Sequence, residues 1–158
     1  MSKKRKILIA IISFLVLIQF IHPEKNEGIA DTPKDITHSV TVNLEIKNIL
    51  EKSCYDCHSN HTEYPWYFNF QPIASWLAHH VEEGKDELNF SEFNTYKLKR
   101  KKHKLKEVIE QINEGEMPIN SYLITHKDAS LSEDQKSKLI KWAEESITFL
   151  QDTLKPKK

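Results

Sequence analysis

Cys54-Tyr55-Asp56-Cys57-His58 is the stretch on which the reading of this chain turns. Two thiols three positions apart, followed at once by an imidazole, suit three kinds of chemistry. A redox pair would want a strand–helix–strand setting, and no alternating strand pattern surrounds residue 54. A zinc site would need further ligands; His61 is near, but a second Cys-x-x-Cys pair is absent. The third chemistry uses the histidine as well as both thiols. On a chain leaving a helix, each thiol can form a thioether to one vinyl group of a haem, and the adjacent histidine is carried under the ring to bind iron as proximal ligand. C-x-x-C-H is the attachment signature of c-type haem. Cys54 and Cys57 are also the only cysteines in 158 residues, so no thiol is left for another role.

Upstream, Lys3-Lys4-Arg5-Lys6 precedes an apolar run over residues 7–21, closed by His22-Pro23. Basic residues ahead of an apolar segment hold that end in the cytoplasm and send the rest of the chain across the membrane, where c-type haem is attached. The run is intermediate in length between a signal-peptide core and a full span. Gln19-Phe20-Ile21-His22-Pro23 is too bulky for a small-x-small cleavage site. The expectation is therefore a cytoplasmic basic segment over 1–6 and an uncleaved transmembrane signal anchor over 7–22, with cleaved secretion as the alternative. A polar linker over 23–40, a helical domain over 41–153 and a basic tail over 154–158 would come after it. Setting the anchor's four basic residues apart from a balance of 23 basic and 23 acidic leaves 19 against 23 outside it, about −4. Such a domain has no bulk reason to bind nucleic acid.

With three glycines and little alternation, helices should dominate. Val42, Ile46, Ile49 and Leu50 share one face and predict a helix over 42–53 that delivers the cysteines. Tyr64, Trp66, Tyr67, Phe68 and Phe70 then crowd a proline-marked loop, suited either to walling a porphyrin edge or to supplying core area. Ile73, Trp76, Leu77, His80 and Val81 predict a second helix, with Gly84 placed to end it. Leu98, Leu105, Val108, Ile109 and Ile112 predict a third, whose start over 97–106 carries seven basic residues in ten. That basic end could dock an acidic redox partner or simply be a solvated face. It runs out at Asn113-Glu114-Gly115, and Met117-Pro118 comes next. Met117, the only methionine after the first residue, lies in no helical stripe; a thioether on a loop suits a sixth, distal iron ligand. His80, on the apolar stripe, is its main rival, with His126, His61 and His103 behind. Ser132-Glu133-Asp134-Gln135 reads as a capping box opening a last helix along Leu139, Trp142, Ala143, Ile147 and Leu150.

Beyond the pentapeptide, the chain carries Tyr64-Pro65-Trp66-Tyr67, Pro72, Trp76, His80, Gly84 and Leu88-Asn89-Phe90-Ser91. Further on stand Gly115-x-Met117-Pro118, Ser121-Tyr122, Leu131-Ser132 and Trp142. Through these, residues 45–145 resemble the haem-binding domain family, small monohaem proteins related to class I cytochromes c. The resemblance implies an all-α, cytochrome c-like domain with one covalently attached haem c. Cys54 and Cys57 would be the attachment points, His58 the proximal ligand and, by analogy with class I cytochromes, Met117 the distal ligand. His80 also matches the family pattern.

Three functions are open to such a chain. The first is an electron carrier on the inner membrane, anchored through residues 7–22, with its haem facing the periplasm and an acidic redox partner. The second is a five-coordinate haem that senses a gas or reduces peroxide, with His80 or His126 as the distal acid–base group. The third is a colourless zinc or redox-thiol module. Hydrolase chemistry has no footing, for there is no Gly-x-Ser-x-Gly, His-Glu-x-x-His or phosphate loop.

Overall fold

Lys3–Ile18 forms the first helix, α1, of a chain whose computed structural model describes residues 2–153. The basic tail expected over 154–158 lies outside them. Helix α1 buries none of its residues. Its 16 residues extend about 24 Å at 1.5 Å per residue, short of the roughly 30 Å of bilayer hydrocarbon. Among the described residues no helix is long and apolar enough to cross a membrane. The span expected over 7–22 is cut short because the helix stops at Ile18. There Gln19 folds back to the Leu15 carbonyl and also bonds the backbone of Gln71.

The segment expected to be a free linker packs onto the helices instead. Asp35 caps a 3-10 turn over Ile36–His38, and Asp35, Ile36 and Val40 are buried. The Lys34 carbonyl accepts from the Asn94 amide at 2.7 Å, and Thr32 donates to the Ser91 carbonyl at 3.3 Å. These are long-range bonds that no local pattern announces.

Helix α2 (Leu44–Ser53) opens on Asn43, whose side chain accepts from the Ile46 amide at 2.8 Å. It buries Ile46, Ile49 and Leu50 and passes directly into the one-turn helix α3 (Tyr55–His58). Helix α4 (Ile73–Glu87) leans on α3. Helix α5 (Leu98–Glu114) ends on Gly115 at φ 72°, the left-handed conformation that glycine adopts without a Cβ penalty. After a short α6 (Asn120–Leu123), helix α7 (Glu133–Asp152) starts with both reciprocal bonds of the Ser132/Gln135 capping box. Helices α5 and α7 share the largest helix–helix interface. The core between them and α2 is built on Leu50, Phe90, Phe93, Leu105, Leu139, Trp142 and Ala143. The Trp142 indole donates to the Thr41 carbonyl at 3.0 Å, so this large side chain buries no unpaired N–H. Among the described residues there is no strand, only an antiparallel bridge between Glu27 and His61. The expected all-α class stands.

Candidate functional site

The pentapeptide sits at the α2–α3 junction. Cys54 ends α2, and its carbonyl accepts from the amides of Cys57 and His58 at 3.2 and 2.9 Å. That one helical turn puts both thiols and the imidazole on a single short stretch of backbone. Neither thiol is in a disulfide. Burial, followed by the neighbouring Cys57, pushes the Cys54 thiol up to about 12. Burial, followed by Asp56, pushes Cys57 up to about 11. Such thiols stay protonated at neutral pH, so the pair is not a ready thiolate for redox exchange. Among the described residues no three His, Cys, Asp or Glu side chains converge so as to hold a metal ion.

His58 is oriented from behind. Its Nδ1 lies 2.9 Å from the Leu88 carbonyl oxygen; a carbonyl only accepts, so Nδ1 carries the proton and Nε2 keeps its lone pair. Burial lowers the pKa of the ring, favouring the neutral imidazole that binds metals. Phe90 packs at 6.2 Å from His58 and 5.3 Å from Tyr55. The segment Leu88-Asn89-Phe90-Ser91 thus braces the pentapeptide. Asn89 caps its turn, accepting from the Ser91 amide at 3.0 Å. The buried Ser91 hydroxyl accepts from the Asn60 amide at 3.1 Å.

Two adjoining hollows, of about 370 and 220 Å³, open beside the pentapeptide. Ser53, Cys54, His58, Glu87, Met117 and Pro118 line both. Leu88, Phe90, Val108, Ile112 and Leu131 make the first largely apolar, and Cys57 borders the second. Volumes of this order, with mostly apolar walls and a few convergent polar groups, are those of cofactor sites. Lys104 stands at the edge, held by Glu87 at 3.0 Å and Glu107 at 2.7 Å. This set of residues fits a haem: paired thiols, an imidazole held through Nδ1, an apolar hollow and a thioether facing the same space.

Met117 comes after the Gly115 stop and leaves α5 on a loop, as its position beyond that glycine predicts; it is 38% exposed. Of the rival ligands, only His80 borders a hollow that also contains His58 and Met117. Its Nδ1 is buried without a hydrogen bond, 3.6 Å from Glu83, and Trp76 packs on its ring at 4.3 Å. His126 stacks on Tyr122 at a small neighbouring hollow of about 50 Å³ that also borders Cys57 and His80. His61 and His103 border neither hollow beside His58.

Other contributors escape the sequence pattern. Gly84 does not end α4, which continues to Glu87. A Cβ there would lie 2.6 Å from the Cys57 carbonyl oxygen, so the glycine lets α4 press against the pentapeptide backbone. The Asp56 carboxylate accepts from the Tyr122 hydroxyl at 2.7 Å, tying α6 and the Met117 loop to the pentapeptide. The aromatic loop does not act as one wall. Phe68 is buried beside Tyr64 and Tyr67 reaches the small hollow, but Trp66 and Phe70 point outward.

An all-helical chain that presents two thiols and an imidazole at the mouth of an apolar hollow has the makings of a haem protein. The chain belongs to the haem-binding domain family, whose model matches residues 13–145. No curated protein and no solved structure matches it.

Proposed function

We propose that this protein is a membrane-attached monohaem c-type cytochrome that carries electrons on the periplasmic side of the inner membrane. The observation that carries the reading is the shared hollow, where Cys54, His58 and Met117 meet. Cys54 and Cys57 hold the haem through thioethers. The Leu88 carbonyl fixes the His58 ring so that Nε2 serves as proximal ligand. Met117 is the distal ligand by analogy with class I cytochromes c, and a Met/His pair raises the potential. Bound there, haem supplies a one-electron ferric/ferrous couple. Exposed Lys99 and Lys106 on α5, with Lys97 just before its start, offer a basic surface that suits an acidic redox partner. The basic start of α1 and its apolar body, none of it buried, support a seat in lipid.

Met117→Ala tests the assignment. The expected result is rapid carbon monoxide binding to the ferrous protein. The potential should also fall by roughly 100 mV or more, given the approximately 0.8 V range set by axial ligands. An unchanged spectrum and potential would remove Met117 from the site. The orphaned Nδ1 of His80 favours a second reading, in which the sixth position stays open and His80 is the acid–base group of a sensor or peroxidase. Rapid carbon monoxide binding to the unaltered protein would favour it.

A further inference from the structure

We infer that the aromatic face formed by Trp66, Phe70, Ile73 and Trp76 is a lipid-facing collar that lays the haem domain directly on the membrane surface. The inference rests on the proposed lipid seat of α1.

The first observation is the way α1 joins the domain. The Gln71 amide donates to Gln19 Oε1 at 2.9 Å, and Gln19 Nε2 donates to the Gln71 carbonyl at 3.2 Å. Gln71 Nε2 then donates to the Ile21 carbonyl at 2.7 Å. These bonds clamp the end of the apolar helix onto the loop between Phe70 and Pro72, so the helix does not hang from a free tether.

The second observation is the surface around that clamp. Trp66 is 76% exposed and Trp76 46%, although tryptophan is usually well buried. Phe70 and Ile73, on either side of the clamp, are also exposed, as are Phe20 and Ile21 at the helix exit. Trp66 and Phe70 touch edge to face at 6.0 Å, while Ile73 and Trp76 are three residues apart on α4. The apolar surface of α1 thus continues onto the domain.

Length decides the occupant. The apolar part of α1, residues 7–18, covers about 18 Å. A helix that short buries its apolar length in hydrocarbon only if whatever is clamped to its end comes down to the headgroups. The part that comes down is a tryptophan-rich patch, and tryptophan is enriched at the membrane–water interface.

The test uses the full haem-loaded chain in vesicles of phosphatidylcholine and phosphatidylglycerol containing a diazirine-bearing phospholipid. After irradiation, tryptic peptides are mapped by mass spectrometry. Peptide 7–25 reports on α1, peptide 53–85 on the collar, and the peptide containing the buried Trp142 is the internal control. Label in 7–25 and at Trp66, Phe70 or Trp76, with little on the control, is the expected outcome. The double variant Trp66→Ser/Trp76→Ser should then lose collar label several-fold while keeping that on 7–25. Label confined to 7–25 would overturn the collar and leave the lipid seat of α1 standing. Label in neither peptide would overturn both, whereas label as heavy on the control as on the collar would overturn the collar.

Discussion

Replacing Gly84 by alanine should destabilise the protein, although the residue lies inside a helix. On helix propensity alone the change favours folding by about 1 kcal/mol. Against that, the new methyl group would sit 2.6 Å from the Cys57 carbonyl oxygen and 3.1 Å from both the Cys57 carbonyl carbon and Cβ. All three are backbone or Cβ atoms of the haem-attachment turn, so no flexible side chain can swing clear. Overpacking costs about 1–3 kcal/mol. A contact of 2.6 Å with backbone that cannot swing clear belongs at the upper end, about 2–3 kcal/mol. Subtracting the propensity gain leaves a net loss of about 1–2 kcal/mol. For a chain of this length that is a Tm lower by roughly 2–8 °C. The assay is thermal unfolding followed by circular dichroism, together with haem absorbance per mole of protein, because moving α4 off the turn also displaces Cys57 relative to His58. A variant with equal or higher Tm and full haem content would refute the close approach and return Gly84 to an ordinary helix position.

Two further outcomes are expected at the site. Tyr122→Phe removes a 2.7 Å bond to the Asp56 carboxylate. It should cost about 1–2 kcal/mol, near the value for hydrogen bonds to charged groups in partly exposed sites. Because that bond ties the Met117 loop to the pentapeptide, the variant should also bind carbon monoxide faster than the parent; wild-type stability and ligand access together would refute the tie. In haem-free protein, Cys54 and Cys57 carry thiols raised to about 12 and about 11. Iodoacetamide at pH 8 should therefore react roughly a hundredfold or more slower than with the denatured chain, whose thiols have ordinary pKa values. An acid raised on folding stabilises fully below its unfolded pKa. That contribution should fade as pH climbs from about 9 toward 11, with Tm falling over the same window. Denatured-like alkylation at pH 8 would contradict the burial of the thiols.

The features legible in the sequence were local. The apolar stripes of α2, α4, α5 and α7, the Gly115 stop and the Ser132/Gln135 box each depend on residues a turn or two apart, and each appears where its spacing put it. Those that stayed hidden depend on contacts across the chain. Gly84 looked like a helix end because glycine serves that use and close approach alike, and only the Cys57 backbone 27 positions upstream separates the two. Residues 23–40 looked like a linker because their polarity is that of a tether; the buried Ile36 and Val40 are too sparse to make a periodic signal. The bond between Asp56 and Tyr122 spans 66 positions. Trp66 and Phe70 were legible as aromatic but not as outward-facing, since a 3-10 turn over Trp66–Asn69 sets their direction. The apolar run over 7–21 was read for its composition, and the helix is shorter than the run because Gln19 finds a partner 52 positions downstream.

The most direct test of the central claim is the visible absorption of the full chain, exported in a host that attaches haem c and then denatured to strip any haem not covalently bound. One haem per chain should remain with the polypeptide, with a low-spin spectrum before denaturation. Its attachment should be lost in a Cys54→Ala/Cys57→Ala variant. A chain that emerges without bound haem from a host that loads other c-type proteins would contradict covalent attachment, and Cys54, Cys57 and His58 would then need another role.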